Sequence, residues 1–119
     1  MADARKTTLA YFDAWQIRDM ERISVCLHPE VTFLGPLSRL AGRKAVLDSF
    51  EPLFPALEEL RIRTVFAEDQ QTITVYDFVC AEPFGLIRMT ELHAFDDGLI
   101  KSIELFFDPR PFVSQSNLK

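Results

Sequence analysis

Two acidic residues stand where acids are costly. Asp77 lies within Thr72-Ile73-Thr74-Val75-Tyr76-Asp77-Phe78-Val79, and Glu91 within Leu86-Ile87-Arg88-Met89-Thr90-Glu91-Leu92-His93-Ala94-Phe95. Both runs are rich in β-branched, aromatic and aliphatic residues and read as β-strands. A buried carboxylate without a partner is strongly destabilising or takes up a proton. Each acid is therefore paired, exposed, or used in chemistry. For Asp77 the choice is between a pocket base whose pKa burial raises and a salt bridge to Arg88. For Glu91 it is between a protonated donor or base beside His93 and a rim acid paired with Lys101. His93 follows Glu91 by two residues, so the two share a strand face, and a carboxylate can orient an imidazole for acid/base work. The competing reading of His93 is a core histidine satisfied by a neighbour.

The turns decide which faces these residues occupy. A two-residue Asp97-Gly98 turn would set Glu91 across from Glu104, with like charges opposed. A three-residue loop with Gly98 in the left-handed conformation sets Glu91 opposite Ile103 and His93 opposite Lys101. That register is expected. It puts Glu91, His93, Lys101, Ile103, Leu105 and Phe107 on one face. The preceding hairpin stays open. A symmetric loop sets Asp77 opposite Arg88, whereas a one-residue slip turns Asp77 toward Glu91 and His93.

Helical patterns come first along the chain. One helix is expected over 3–17, with Tyr11 and Trp15 four residues apart and Phe12 beside them. Asp19 is a suitable N-cap for a second, short helix carrying Ile23, Cys26 and Leu27, which His28-Pro29 closes. A short strand over 30–34 ends at Gly35-Pro36. Gly42 precedes a third helix carrying Val46, Leu47 and Phe50, and Pro52 breaks it near Phe50. Strands are expected over 60–67, 72–79, 86–95 and 99–107. Helices followed by strands indicate an α+β fold rather than a parallel βαβ sheet.

Composition narrows the function classes. The length of 119 residues suits one domain, expected over 1–113 with a loose tail over 114–119. A hydrophobic fraction of 48% with eleven Phe supports a substantial core or an apolar pocket. The net charge of −5 argues against nucleic acid and anionic membrane as partners. No apolar run reaches membrane-spanning length and no signal-peptide pattern opens the chain, so a cytoplasmic location is expected. Cys26 and Cys80 lack metal-ligand spacing and read as free buried thiols. Glu91 and His93 offer two metal ligands without a third, and no glycine-rich phosphate loop is present. Neither a metal nor any other cofactor is expected.

Three segments carry a family resemblance. They are Tyr11-Phe12-Asp13-Ala14-Trp15-Gln16-Ile17-Arg18-Asp19, Leu27-His28-Pro29-Glu30-Val31-Thr32-Phe33, and the closing stretch from Phe95 to Asp108. With the order of elements, they resemble the nuclear transport factor 2-like superfamily, which includes ketosteroid isomerases, limonene epoxide hydrolases and SnoaL-like polyketide cyclases. The resemblance implies three N-terminal helices packed on a strongly curved, mixed, mainly antiparallel sheet, a cone-shaped α+β barrel around a deep apolar pocket. It also implies a homodimer through the outer sheet face.

For the site, the resemblance places Tyr11 where isomerases keep a hydrogen-bond donor to an oxyanion, and Glu91 where they keep a protonated acid. Their base position falls at Phe33-Leu34, which cannot accept a proton, so Asp77 is expected to supply the base. Asp77 also resembles one acid of the epoxide hydrolases, while their Arg and second Asp positions fall on Val75 and Leu105. The implied catalytic set is Asp77, Glu91, Tyr11 and His93. The implied substrate wall is Trp15, Phe33, Val75, Ile103, Leu105 and Phe107. The expected activity is cofactor-independent acid/base isomerisation or cyclisation of a small apolar or cyclic molecule. A non-catalytic ligand-binding or dimerisation domain and an epoxide hydrolase-like enzyme are the alternatives, because this scaffold hosts many functions.

Overall fold

The computed structural model describes residues 3–112, so the tail expected over 114–119 lies outside the described residues. Asp3 caps the first helix, α1 (Ala4–Gln16), its carboxylate accepting from the N–H groups of Arg5 and Lys6. Thr8, Tyr11, Phe12 and Trp15 form its buried stripe at helical spacing. Asp19 caps α2 (Met20–Cys26) by accepting from the N–H of Arg22 at 3.1 Å, as its position indicates. The chain passes directly into β1 (Leu27–Leu34), and a short β2 (Arg39–Ala41) returns beside it. The α3 helix (Arg43–Phe50) follows Gly42, whose φ of 94° suits a residue without Cβ. At Glu51 the helix tightens into a 3₁₀ segment, Glu51–Ala56, with Pro52 near its start, where a missing N–H costs least.

Four longer strands complete the fold: β3 (Leu57–Glu68), β4 (Gln71–Cys80), β5 (Leu86–Asp96) and β6 (Leu99–Phe106). The sheet order is β2-β1-β6-β5-β4-β3. The β1–β6 pairing is parallel and every other pairing is antiparallel. The fold is thus the expected α+β layout on a curved mixed sheet, but the sheet is open. β2 and β3 remain edges, so the cone is not a closed barrel.

Helix α1 lies over the inner face, where Phe12 packs on Tyr76 at a ring separation of 4.9 Å. Cys26 and Cys80 are free and buried, and burial raises the pKa of both thiols. Among the described residues, no helix is long and apolar enough to cross a membrane.

The two hairpins settle the registers. Between β4 and β5 the pairing is symmetric, with Asp77 opposite Arg88 and Tyr76 opposite Met89. Strand alternation then sends Tyr76 and Met89 inward and Asp77 and Arg88 outward. Between β5 and β6 the expected three-residue loop does not form. Asp96 pairs with Leu99 across a two-residue Asp97-Gly98 turn, both of whose residues have positive φ (56° and 78°). The register then shifts between Ala94 and Phe95, so Glu91 pairs with Leu105 and His93 with Ile103. The bulge spares Glu91 from Glu104, and it also turns Lys101 away from the inner face, to lie 3.8 Å from Asp96.

Candidate functional site

The inner face of the sheet and the helices enclose a cavity of about 250 Å³. This lies just below the roughly 300–1,000 Å³ of typical ligand clefts, so its occupant is small. Strands β4 and β5 aim Tyr76, Phe78, Met89 and Glu91 into it, α1 contributes Tyr11, Phe12 and Trp15, and β1 contributes Phe33. Leu105 and Phe107 close the side formed by β6 and the residues after it. Among the described lining residues, Glu91 is the one charged side chain.

Glu91 anchors a buried chain of hydrogen bonds. The Tyr76 hydroxyl donates to its Oε2. Its Oε1 lies 2.8 Å from Nε2 of His93, and His93 Nδ1 lies 3.0 Å from the Thr8 hydroxyl. Thr8 Oγ1 lies 2.6 Å from Thr72 Oγ1. His93, Thr8 and Thr72 are almost wholly inaccessible, and the Tyr11 and Phe12 rings pack against the imidazole at 5.0 and 5.7 Å. The Tyr76 phenol is held well above its ordinary pKa, first by burial, then by the charge of Glu91 and its hydrogen bond. Tyr11 is raised in the same sense by burial and then by Glu91, so both phenols are proton donors at neutral pH. Thr74, opposite Glu91 on β4, has a buried hydroxyl with no hydrogen-bond partner in the structure.

The expected site residues divide. Tyr11, Trp15, Phe33, Glu91, Leu105 and Phe107 line the cavity, and His93 sits behind Glu91 as its partner. Asp77 does not belong to the site. It is on the outer face, where Arg88 Nε donates to Oδ1 at 2.6 Å and Arg88 Nη2 to Oδ2 at 3.2 Å, with Arg63 at 3.6 Å. The Arg88 hydrogen bond holds the Asp77 carboxyl below its ordinary pKa, the opposite of what a pocket base needs. Val75 shares that outer face by alternation and is absent from the wall. Ile103 is buried core beneath His93 rather than a wall residue.

Tyr76, Thr8 and Thr72 escaped the sequence reading. A signal existed for Tyr76, because any register that turns Asp77 outward turns its neighbour inward. Among the described residues, no three His, Cys, Asp or Glu side chains gather as metal ligands.

An open, curved sheet with helices over an apolar pocket is the nuclear transport factor 2-like architecture. The model of the SnoaL-like domain family matches residues 8–103, and the chain belongs to that family. A nuclear transport factor 2-like protein of unknown function from Cytophaga hutchinsonii superposes with a TM-score of 0.83 at 21% identity, covering 95% of this chain and 96% of that one. A candidate ketosteroid isomerase from Kribbella flavida gives 0.79 at 20% identity, covering 88% and 77%. An epoxide hydrolase of M. tuberculosis gives 0.77 at 16% identity, covering 93% and 86%. At these identities the likeness is one of fold. No curated protein matches the chain.

Proposed function

We propose that the chain binds a small molecule with an apolar or cyclic body in the inner cavity, and that Glu91 carries an acid/base step there. The observation behind this reading is the placement of Glu91 as the one charge on a largely aromatic and aliphatic wall. Tyr76 and His93 hold the Glu91 carboxyl in one orientation, as a positioned acid/base group requires. Tyr11 stands on the facing helix as a hydrogen-bond donor to bound substrate. The neighbouring fold of a candidate isomerase and an epoxide hydrolase agrees with proton-transfer chemistry in such a cavity.

A generic base assay tests this without knowledge of the substrate. 5-Nitrobenzisoxazole loses its C3 proton to a carboxylate as its N–O bond opens, giving a coloured phenolate. Catalysis by the wild type should fall roughly 100- to 10,000-fold in Glu91→Gln and stay unchanged in Asp77→Asn. No difference between Glu91→Gln and wild type would leave a binding module as the reading. That second reading draws on Glu91 already accepting from Tyr76 and His93, which suits an anchor as well as a base. We further propose a homodimer through the outer sheet face, supported by the exposure of Phe66, Ile73 and Phe106 there.

A further inference from the structure

We infer that the pocket takes an organic cation, a small ammonium compound with an apolar, ring-sized body. The inference deepens the reading above, resting on the same cavity and carboxylate but not on proton transfer.

The buried hydrogen-bond chain orients Glu91. Thr72 Oγ1 has one partner among the described residues, Thr8 Oγ1. A buried hydroxyl hydrogen needs an acceptor, so Thr72 donates to Thr8. The Thr8 hydrogen is then free for His93 Nδ1, which accepts it. With Nδ1 bare, the imidazole is neutral and carries its hydrogen on Nε2, donated to Glu91 Oε1. Glu91 Oε1 accepts there, as either protonation state of the acid allows, and its carboxylate form is the one a bound cation would hold. On its other oxygen the Tyr76 phenol can donate to Oε2 or to Met89 Sδ at 3.4 Å, and the carboxylate is much the stronger acceptor. Every hydrogen in the chain then has an acceptor, and the carboxylate form has no cation beside it.

Nothing in the described wall neutralises that charge. The lining includes no Lys, Arg or His. Arg88 and Arg63 are engaged by Asp77 on the other face, and Arg18 is turned to the carbonyls of Gln16, Phe54 and Leu57. The cavity Glu91 faces is lined largely by rings, among them Tyr11, Phe12, Trp15, Tyr76, Phe78 and Phe107. Ring faces are negative and attract cations, more strongly where water is excluded. A carboxylate on the wall of a small, largely apolar and aromatic cavity complements an ammonium head with a hydrocarbon body. A neutral ligand would leave the buried charge without a counter-ion, and an anion would oppose it.

Three ligands of one shape decide the matter: benzylammonium, benzyl alcohol and benzoate. Trp15 is the single tryptophan of the chain and lies on the cavity wall, so its fluorescence reports occupancy directly. Benzylammonium should bind the wild type at least about tenfold tighter than benzyl alcohol, with benzoate weakest. In Glu91→Gln, folded by near-ultraviolet circular dichroism, the first two should bind within about twofold of each other. A wild-type ranking with benzyl alcohol equal or ahead, or with benzoate ahead, overturns the inference whatever the variant does. Base catalysis of 5-nitrobenzisoxazole alongside such a ranking would remove the ligand class and keep the acid/base reading. A cation preference without that catalysis would do the reverse.

Discussion

Asp77 and Glu91 are both buried, with 1% and 5% of their surface exposed, and their surroundings are opposite. Asp77 sits under Arg88 and Arg63, whose side chains are half exposed (53% and 49%), so water is one guanidinium away. Its charge is matched by fixed cations and screened by solvent. Glu91 leans on Tyr76 and His93, which are themselves buried and bring no solvent to it. Accessibility does not separate a structural acid from one available for work. The nature and wetness of the partners do.

Four experiments sharpen or break that contrast. The largest effect on stability should come from His93→Ala, which strips a donor from the inner acid and opens a hole beneath Tyr11 and Phe12. Urea unfolding should show a loss of about 3–5 kcal/mol, from the cavity left in the core and the acceptor left without its donor. A loss under about 1 kcal/mol would mean that Glu91 does not depend on the imidazole. On the outer face, Phe106→Asp should weaken self-association at least about tenfold by sedimentation equilibrium, leaving base catalysis intact. An unchanged oligomeric state would remove the proposed dimer surface.

The third experiment is a pH titration of Asp77. Its folded-state pKa is depressed, so its pairing stabilises fully above the unfolded value of about 3.9 and is lost as pH falls through the lower folded value. Thermal melts of wild type and Asp77→Asn should therefore differ most near neutral pH and converge in acid. A gap that widens below about pH 4 would contradict the pairing. The smallest effect is expected for Thr74→Val. It removes a buried hydroxyl without a hydrogen-bond partner, so stability should hold or rise by up to about 1 kcal/mol. A clear loss would reveal a partner for that oxygen.

Much of the frame was legible from local chemistry. Asp19 caps the second helix as its position suggests, and the third helix changes form where Pro52 requires it. β2 was not legible, because three residues at an edge carry no period. The β5–β6 turn shows a sound premise reaching the wrong geometry. Glu91 does avoid Glu104, but through a bulge rather than a longer loop, and a bulge leaves no mark in the hydrophobic pattern. Asp77 hung on one residue of register, which either sequence pattern permits. The Thr72–Thr8–His93 chain joins residues 64 and 85 positions apart, a proximity that only the folded chain creates.

The two buried thiols have a use beyond packing. Cys26 ends α2 on the helical side, and Cys80 ends β4 near the opposite edge of the sheet. Burial keeps both protonated and out of reach of reagents, so alkylation must wait for each neighbourhood to open. Labelling kinetics, resolved by site, would therefore time the breathing of the helical roof and of the sheet edge separately, with no probe added to the chain.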